Sequence, residues 1–117
     1  MRRPSSPLFT PIALGGLELP NRFVRSATME GAADASGEVT PTLLELHETL
    51  AAGGIGLVVT GIAYVDPQGA ISSRQTSIAS DAVVPGLSEL TARVHARGGR
   101  IAAQLFHAGA QAGLFLA

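Results

Sequence analysis

Two kinds of hydrophobic spacing alternate along the chain. Between Pro11 and Pro20, two short apolar runs flank Gly15-Gly16, the spacing of a β-hairpin whose glycines supply positive φ in the turn. Residues 23–28, Phe-Val-Arg-Ser-Ala-Thr, predict a first strand, and the small, polar, glycine-containing stretch 31–39 predicts a loop. Thr40-Pro41 then opens a helix. Threonine caps free amides, and proline at the first helical position loses no needed hydrogen bond. Leu43, Leu46 and Leu50 recur at helical spacing until Gly53-Gly54 ends the segment. Residues 55–62 follow as a continuous apolar run, the signature of a strand buried on both faces of a parallel sheet.

The pattern then repeats. Asp66-Pro67-Gln68-Gly69 is turn chemistry, and the polar stretch to Ser80 predicts a loop or irregular hairpin. Asp81 is placed to cap a second helix, with Val84, Leu87, Leu90 and Val94 on one face and Pro85 tolerated in the first turn. Gly98-Gly99 ends it, and residues 100–107 form a third strand. Alternating strands and helices imply right-handed crossovers and a parallel sheet. A doubly wound sheet should show a glycine fingerprint after its first strand, but that turn reads Thr28-Met29-Glu30-Gly31-Ala32-Ala33. An N-terminal hairpin instead suits the bottom of a barrel. The expected fold is α/β: the N-terminal part, a hairpin plus about three βα units, of an incomplete TIM (β/α)8 barrel. A barrel needs about 250 residues, so the 117 present predict a chain cut short on its third strand.

Composition narrows the function classes. Charged residues are 15%, aromatics 4%, and the net charge is −1, so neither a nucleic-acid partner nor an anionic membrane surface is indicated. The apolar stretch 55–65 is about half the ~20 residues of a membrane span, and Arg2-Arg3 has no apolar run of a secretory signal behind it. A cytoplasmic location is the expectation. The absence of cysteine removes disulfides, thiolate nucleophiles and thiolate metal sites, and no metal motif is present.

In barrels chemistry gathers at the C-terminal ends of strands, which selects residues 26–29, 61–63 and 104–109. Gln104 offers a planar donor and acceptor pair that suits an imide or pyrimidine edge, or else it is satisfied by neighbouring backbone. His107 is expected to pack and hydrogen-bond at its strand end. His47 and His95 are expected to be solvated or partly packed, and the loop carboxylates Glu30 and Asp34 solvated. No acid–base pair, H-E-x-x-H, G-x-S-x-G or P-loop occurs.

Several stretches in order are more specific than any one of them. Leu8-Phe9-Thr10-Pro11-Ile12 is followed by Leu19-Pro20-Asn21-Arg22-Phe23-Val24, then by Gly53-Gly54-Ile55-Gly56-Leu57-Val58-Val59-Thr60. After these come Val65-Asp66-Pro67-Gln68-Gly69, Ser80-Asp81, Val94-His95-Ala96-Arg97-Gly98-Gly99 and Gln104-Leu105-Phe106-His107-Ala108-Gly109. From about Leu8 to Gly109 the chain resembles the N-terminal part of the Old Yellow Enzyme family, the FMN-dependent NADH:flavin oxidoreductases and ene-reductases. The resemblance implies FMN at a barrel mouth, NAD(P)H as reductant, and hydride transfer through the flavin to an activated alkene or similar small-molecule acceptor. It implies that Ser26, Ala27, Thr28 and Met29 lie against the isoalloxazine edge, largely through backbone. Ile62, with Gly61 beside it, matches a flavin contact just after the second strand, and Gln104 matches the glutamine that bonds the pyrimidine ring.

Met29 stands where many relatives carry Cys or Thr, Gly31 where some place a tyrosine, and Ala110 where arginine is usual. The family's substrate-gripping pair, proton donor and phosphate loops belong to later parts of the barrel, so no catalytic residue is assigned here. Residues 1–117 are thus expected to be the N-terminal segment of a single FMN-binding domain, inactive in isolation. The alternative is a non-catalytic remnant that acts through association, motivated by the apolar tail 113–117. Oligomeric state is left open.

Overall fold

The computed structural model of the chain describes residues 6–113; Arg2-Arg3 and the tail from residue 114 lie outside them. Strands β1 (Ile12–Leu14) and β2 (Leu17–Leu19) pair antiparallel around Gly15, whose φ is 57°. Ile12 stands opposite Leu19, which is buried. Asn21 ties this hairpin to the rest of the chain: its amide donates to the Gly54 carbonyl, and its Oδ1 accepts from the Phe23 N–H at 3.1 Å. Gly54 lies just ahead of the second strand of the main sheet. The hairpin therefore sits at the N-terminal end of that sheet, opposite the end where the strand-exit loops collect.

The main sheet is parallel throughout. Its strands are β3 (Val24–Arg25), β4 (Leu57–Tyr64), β5 (Thr76–Ser77) and β6 (Ile101–Phe106), with β4 paired to all three others. β6 runs along one edge of β4 from Val58 to Tyr64. β3 and β5 share the other edge, β3 at Leu57 and Val58 and β5 at Ala63 and Tyr64. Three expectations are corrected here. The stretch before Ser80 is no hairpin: after a 3-10 turn at Pro67–Gly69 it adds β5 in parallel. The second strand does not stop at Ile62 but continues to Tyr64. Thr60 and Gly61 together oppose Ala103, a β-bulge that bends the strand without ending it. The first strand is shorter than expected, because beyond Arg25 the backbone leaves the ladder.

Helix α1 (Pro41–Ala52) starts where expected, with the Thr40 side chain accepting from the Leu43 N–H. Helix α2 (Val84–Ala96) grows out of a 3-10 turn at Asp81–Val83. Asp81 thus lies inside the turn rather than capping, and no side chain caps α2. At its far end Gly98 takes φ 75°, and the N–H groups of Gly98 and Gly99 bond back to His95 and Val94 carbonyls at 2.9 and 3.0 Å. That is the Schellman closure, which glycine adopts without a Cβ penalty. Both helices pack on one face of the sheet. Leu43, Leu44, Ala51, Leu90 and Val94 are buried there with Val58 and Ala63, each larger side chain contributing about 1.5–3 kcal/mol. Val84 is exposed, and Leu46 and Leu50 are half-buried, so the buried stripe of α1 runs through His47 instead. Arg93 of α2 and Arg97 just beyond its end reach Glu48 of α1 at 3.4 and 3.0 Å across the solvent side of the pair.

The other sheet face is open. Register pairs Val59 with Ala102, Ile62 with Gln104 and Tyr64 with Phe106, which alternate with the helix-side pairs Val58–Ile101 and Ala63–Leu105. No helix among the described residues covers that face.

Candidate functional site

The residues selected from the sequence come together at the C-terminal half of three adjacent strands. Ser26, Ala27, Thr28 and Met29 follow directly on β3, and the Thr28 carbonyl lies against Gly61 of β4, 2.6 Å from where a Cβ would stand. Ile62 is next along β4, inside the strand rather than after it. Its register partner across the sheet is Gln104. Among the described residues, the N–H groups of residues 26–29 have no hydrogen-bond partner within the chain. The Gln104 side chain is exposed and makes no hydrogen bond there either, while its own N–H donates to Thr60 Oγ1 at 3.3 Å. Backbone satisfaction of the glutamine amide is therefore not what the structure shows. Met29 is half-exposed beside this row of free donors.

Glu30 overturns the expectation of a solvated loop carboxylate. Only 7% of its side chain is exposed. Its Oε1 accepts from Arg25 Nη1 at 2.9 Å and from the Gly61 N–H at 3.1 Å. His47, expected to be solvated or partly packed, is 1% exposed. Its Nδ1–H donates to the Leu43 carbonyl at 2.8 Å, and its Nε2 lies 3.4 Å from the same Glu30 oxygen, off line for a formed bond. Burial works to raise the Glu30 pKa. It is outweighed by His47, the Arg25 guanidinium, the Gly61 N–H and Glu30's own N–H, which hold the carboxyl at about 2. Arg25 Nη1 also donates to the Val59 carbonyl at 2.9 Å, and Nη2 to Thr28 O at 3.4 Å.

Gly61 has a packing reason to be glycine. A Cβ there would run into the Glu30 carboxylate and the Thr28 carbonyl. A glycine inside a strand is a signal of close approach, and that signal was present in the sequence.

The remaining candidates organise loops. Asp34 accepts from Ser36 Oγ and from the Ser36 and Glu38 N–H groups at 2.7–2.9 Å, which lowers its pKa and shapes the 34–38 turn. His107 lays its ring over Gly69 and accepts from the Gly109 N–H at 3.0 Å, the packing role expected of it. The Ala108 N–H donates to Gly69 O at 2.9 Å, so the loops leaving β4 and β6 are joined. His95 is exposed on α2. A concavity of about 410 Å³ lies beside α2 around Asp81, Leu87 and Thr91 and touches none of the candidate cofactor residues. Among the described residues no three His, Asp or Glu side chains gather as a metal site, and no helix is long and apolar enough to cross a membrane.

Comparison with known proteins bears on the family and the fold. A disulfide reductase acting on 4,4'-dithiodibutanoate from Rhodococcus erythropolis is 39% identical over 106 residues, covering 91% of this chain and 26% of that protein. An NADPH dehydrogenase from Halalkalibacterium halodurans is 38% identical over 108 residues, covering 92% and 32%. In structure, the Old Yellow Enzyme of Pichia sp. superposes with a TM-score of 0.87 at 28% identity, over 92% of this chain and 28% of that one. Morphinone reductase, solved in complex with tetrahydroNAD, gives 0.80 at 29% identity over 92% and 29%. The fold is accordingly the N-terminal portion of a TIM barrel, its sheet not closed, and the chain spans about a quarter to a third of the length of these relatives. The sequence profile of the NADH:flavin oxidoreductase / NADH oxidase family matches residues 7–114, and the chain belongs to that family, in its Old Yellow Enzyme-like N-terminal portion.

Proposed function

We propose that residues 1–117 are the N-terminal segment of a single FMN-binding barrel domain and form one wall of the flavin site of an NAD(P)H-dependent oxidoreductase. One observation carries the reading. The unpartnered planar amide of Gln104 registers with Ile62 on the open sheet face, and the row of free N–H groups at 26–29 lies across β4 from it. The pyrimidine edge of a flavin alternates carbonyl oxygens and ring nitrogens, which a carboxamide and backbone amides match in one plane. Gln104 and the backbone of Ser26, Ala27, Thr28 and Met29 would hold that edge, Ile62 would pack against it, and Gly61 would let the Thr28 carbonyl close on β4. When bound, FMN supplies hydride chemistry, accepting from NAD(P)H and delivering to an activated alkene or a similar small acceptor. This chain's residues contribute orientation and electrostatics. The substrate grip and phosphate site belong to later parts of the barrel, and we place the protein in the cytoplasm, where reduced nicotinamide is available.

Purification of the full-length gene product tests this. A yellow protein whose FMN affinity falls about tenfold or more in Gln104→Leu, the loss of roughly one to two hydrogen bonds, is expected. A colourless protein that takes up no FMN overturns the proposal. A second reading, association without catalysis, draws on the exposed Leu105 of β6. Monomeric behaviour of the chain in sizing experiments would remove it.

A further inference from the structure

One edge of β4 has a gap in its strand pairing, filled by charged side chains. β3 pairs with Leu57 and Val58, and β5 with Ala63 and Tyr64. Between them, Val59 and the bulged residues Thr60 and Gly61 have no strand partner on that edge. Arg25 Nη1 donates to the Val59 carbonyl at 2.9 Å, and Glu30 Oε1 accepts from the Gly61 N–H at 3.1 Å. The two side chains are themselves paired at 2.9 Å. A guanidinium and a carboxylate thus stand in for the missing ladder bonds, one giving and one taking.

The pair also brackets a segment. Arg25 immediately precedes residues 26–29 and Glu30 immediately follows them, so their mutual bond closes a loop of four residues. Arg25 Nη2 holds the Thr28 carbonyl from the same side. The following residues are anchored as well: Thr40 Oγ1 donates to Ala32 O, and Ala33 exchanges hydrogen bonds with Arg74 at 3.1 and 3.3 Å. Side-chain exposures of 15% and 7% make this a largely desolvated ion pair, an arrangement weak as a source of stability and best retained where it fixes a geometry.

We infer that the Arg25–Glu30 pair is the positioning device of the flavin-side segment 26–29, setting where its free N–H groups lie against β4. The inference rests on the flavin-wall reading above. The pair touches neither cofactor nor substrate; it acts through the backbone it brackets and through the Gly61 N–H.

The test compares Glu30→Gln with Glu30→Leu in the full-length protein. Three readouts apply: FMN affinity by flavin-fluorescence titration, the visible spectrum of the bound flavin, and hydrogen exchange at the Gly61 amide. Glutamine keeps an oxygen for the Gly61 N–H and leucine does not, although both remove the charge. The expected result is graded. Glu30→Leu exchanges Gly61 about tenfold faster or more, loses about tenfold or more in FMN affinity and shifts the flavin band, while Glu30→Gln recovers most of each. A purely structural role through charge would damage both variants alike. If Glu30→Leu fails to fold, Glu30→Gln against Arg25→Lys carries the comparison. Wild-type affinity and spectrum in variants whose Gly61 amide has lost protection overturn the inference while the flavin reading stands. A wild-type protein that binds no FMN overturns the flavin reading itself.

Discussion

Gly61→Ala measures how tightly the segment after β3 is held against β4. The added Cβ meets the Glu30 carboxylate and the Thr28 carbonyl oxygen, the latter at 2.6 Å, and a backbone oxygen cannot swing aside as a flexible side chain can. Glu30 cannot retreat cheaply either, because Arg25 bonds it and the buried His47 ring occupies the space beside it. Two costs follow: overpacking of about 1–3 kcal/mol, and weakening of a charge-assisted bond from the Gly61 N–H worth about 1.5–3 kcal/mol when intact. Against them stands the usual gain of alanine over glycine in a strand, about 0.5–1 kcal/mol, which applies because the φ of Gly61 is not positive. The costs win, and Gly61→Ala should destabilise by about 2–3 kcal/mol, the two costs overlapping. Gly53→Ala serves as the control. Gly53 sits at φ −72° and ψ −5°, and a Cβ there finds only ordinary contacts at 3.4 and 3.5 Å, so that variant should gain a few tenths to about 1 kcal/mol. Urea melts of the two variants and the wild type decide it. A Gly61→Ala protein as stable as wild type would refute the close approach of Glu30 and Thr28 to β4, and with it the bracing argument.

Three further outcomes follow from the same contacts. The Glu30 carboxyl titrates at about 2 instead of 4.5, so its charged form stabilises the fold fully above about pH 4.5, and that contribution is lost as pH falls from there towards 2. At most about 3 kcal/mol is involved, nearer 2 after solvent relaxation, and Glu30→Gln, which cannot titrate, should close its stability gap to wild type in that window. Equal gaps at pH 5 and pH 2 would contradict it. Thr40→Ala removes both the cap on the Leu43 N–H and the bond to Ala32 O and should cost about 1–2 kcal/mol in urea melts, with Thr40→Ser close to wild type. Glu48→Gln loosens the surface contacts to Arg93 and Arg97, and any change in melting temperature should disappear in high salt, since exposed pairs are screened.

What the sequence made legible was local. Thr40-Pro41, the Gly-Gly pairs and the apolar runs each specify an element within a few residues, and the hairpin, both helices and three of the four strands of the main sheet follow from them. Strand-end logic then brought Ser26, Ala27, Thr28, Met29, Ile62 and Gln104 onto neighbouring strands because a parallel barrel places successive strand ends side by side. The failures at the candidate site share one cause. Glu30 and His47 had no local reason to be buried; Glu30 bonds Arg25 and a backbone N–H thirty-one residues further on, and His47 packs beside it. The solvated reading of a loop carboxylate holds only when no unpaired donor waits elsewhere in the fold. Here one did, and the sequence did mark it. A glycine within an apolar strand announces a bulge or a close approach, and a bulge leaves an N–H without its ladder partner. Opposite charges flanking a four-residue loop, Arg25 and Glu30, are then the groups able to reach it. Gly61 read together with those two charges, rather than as the end of a strand, predicts a brace, and it is that brace which holds the candidate flavin-side backbone in place.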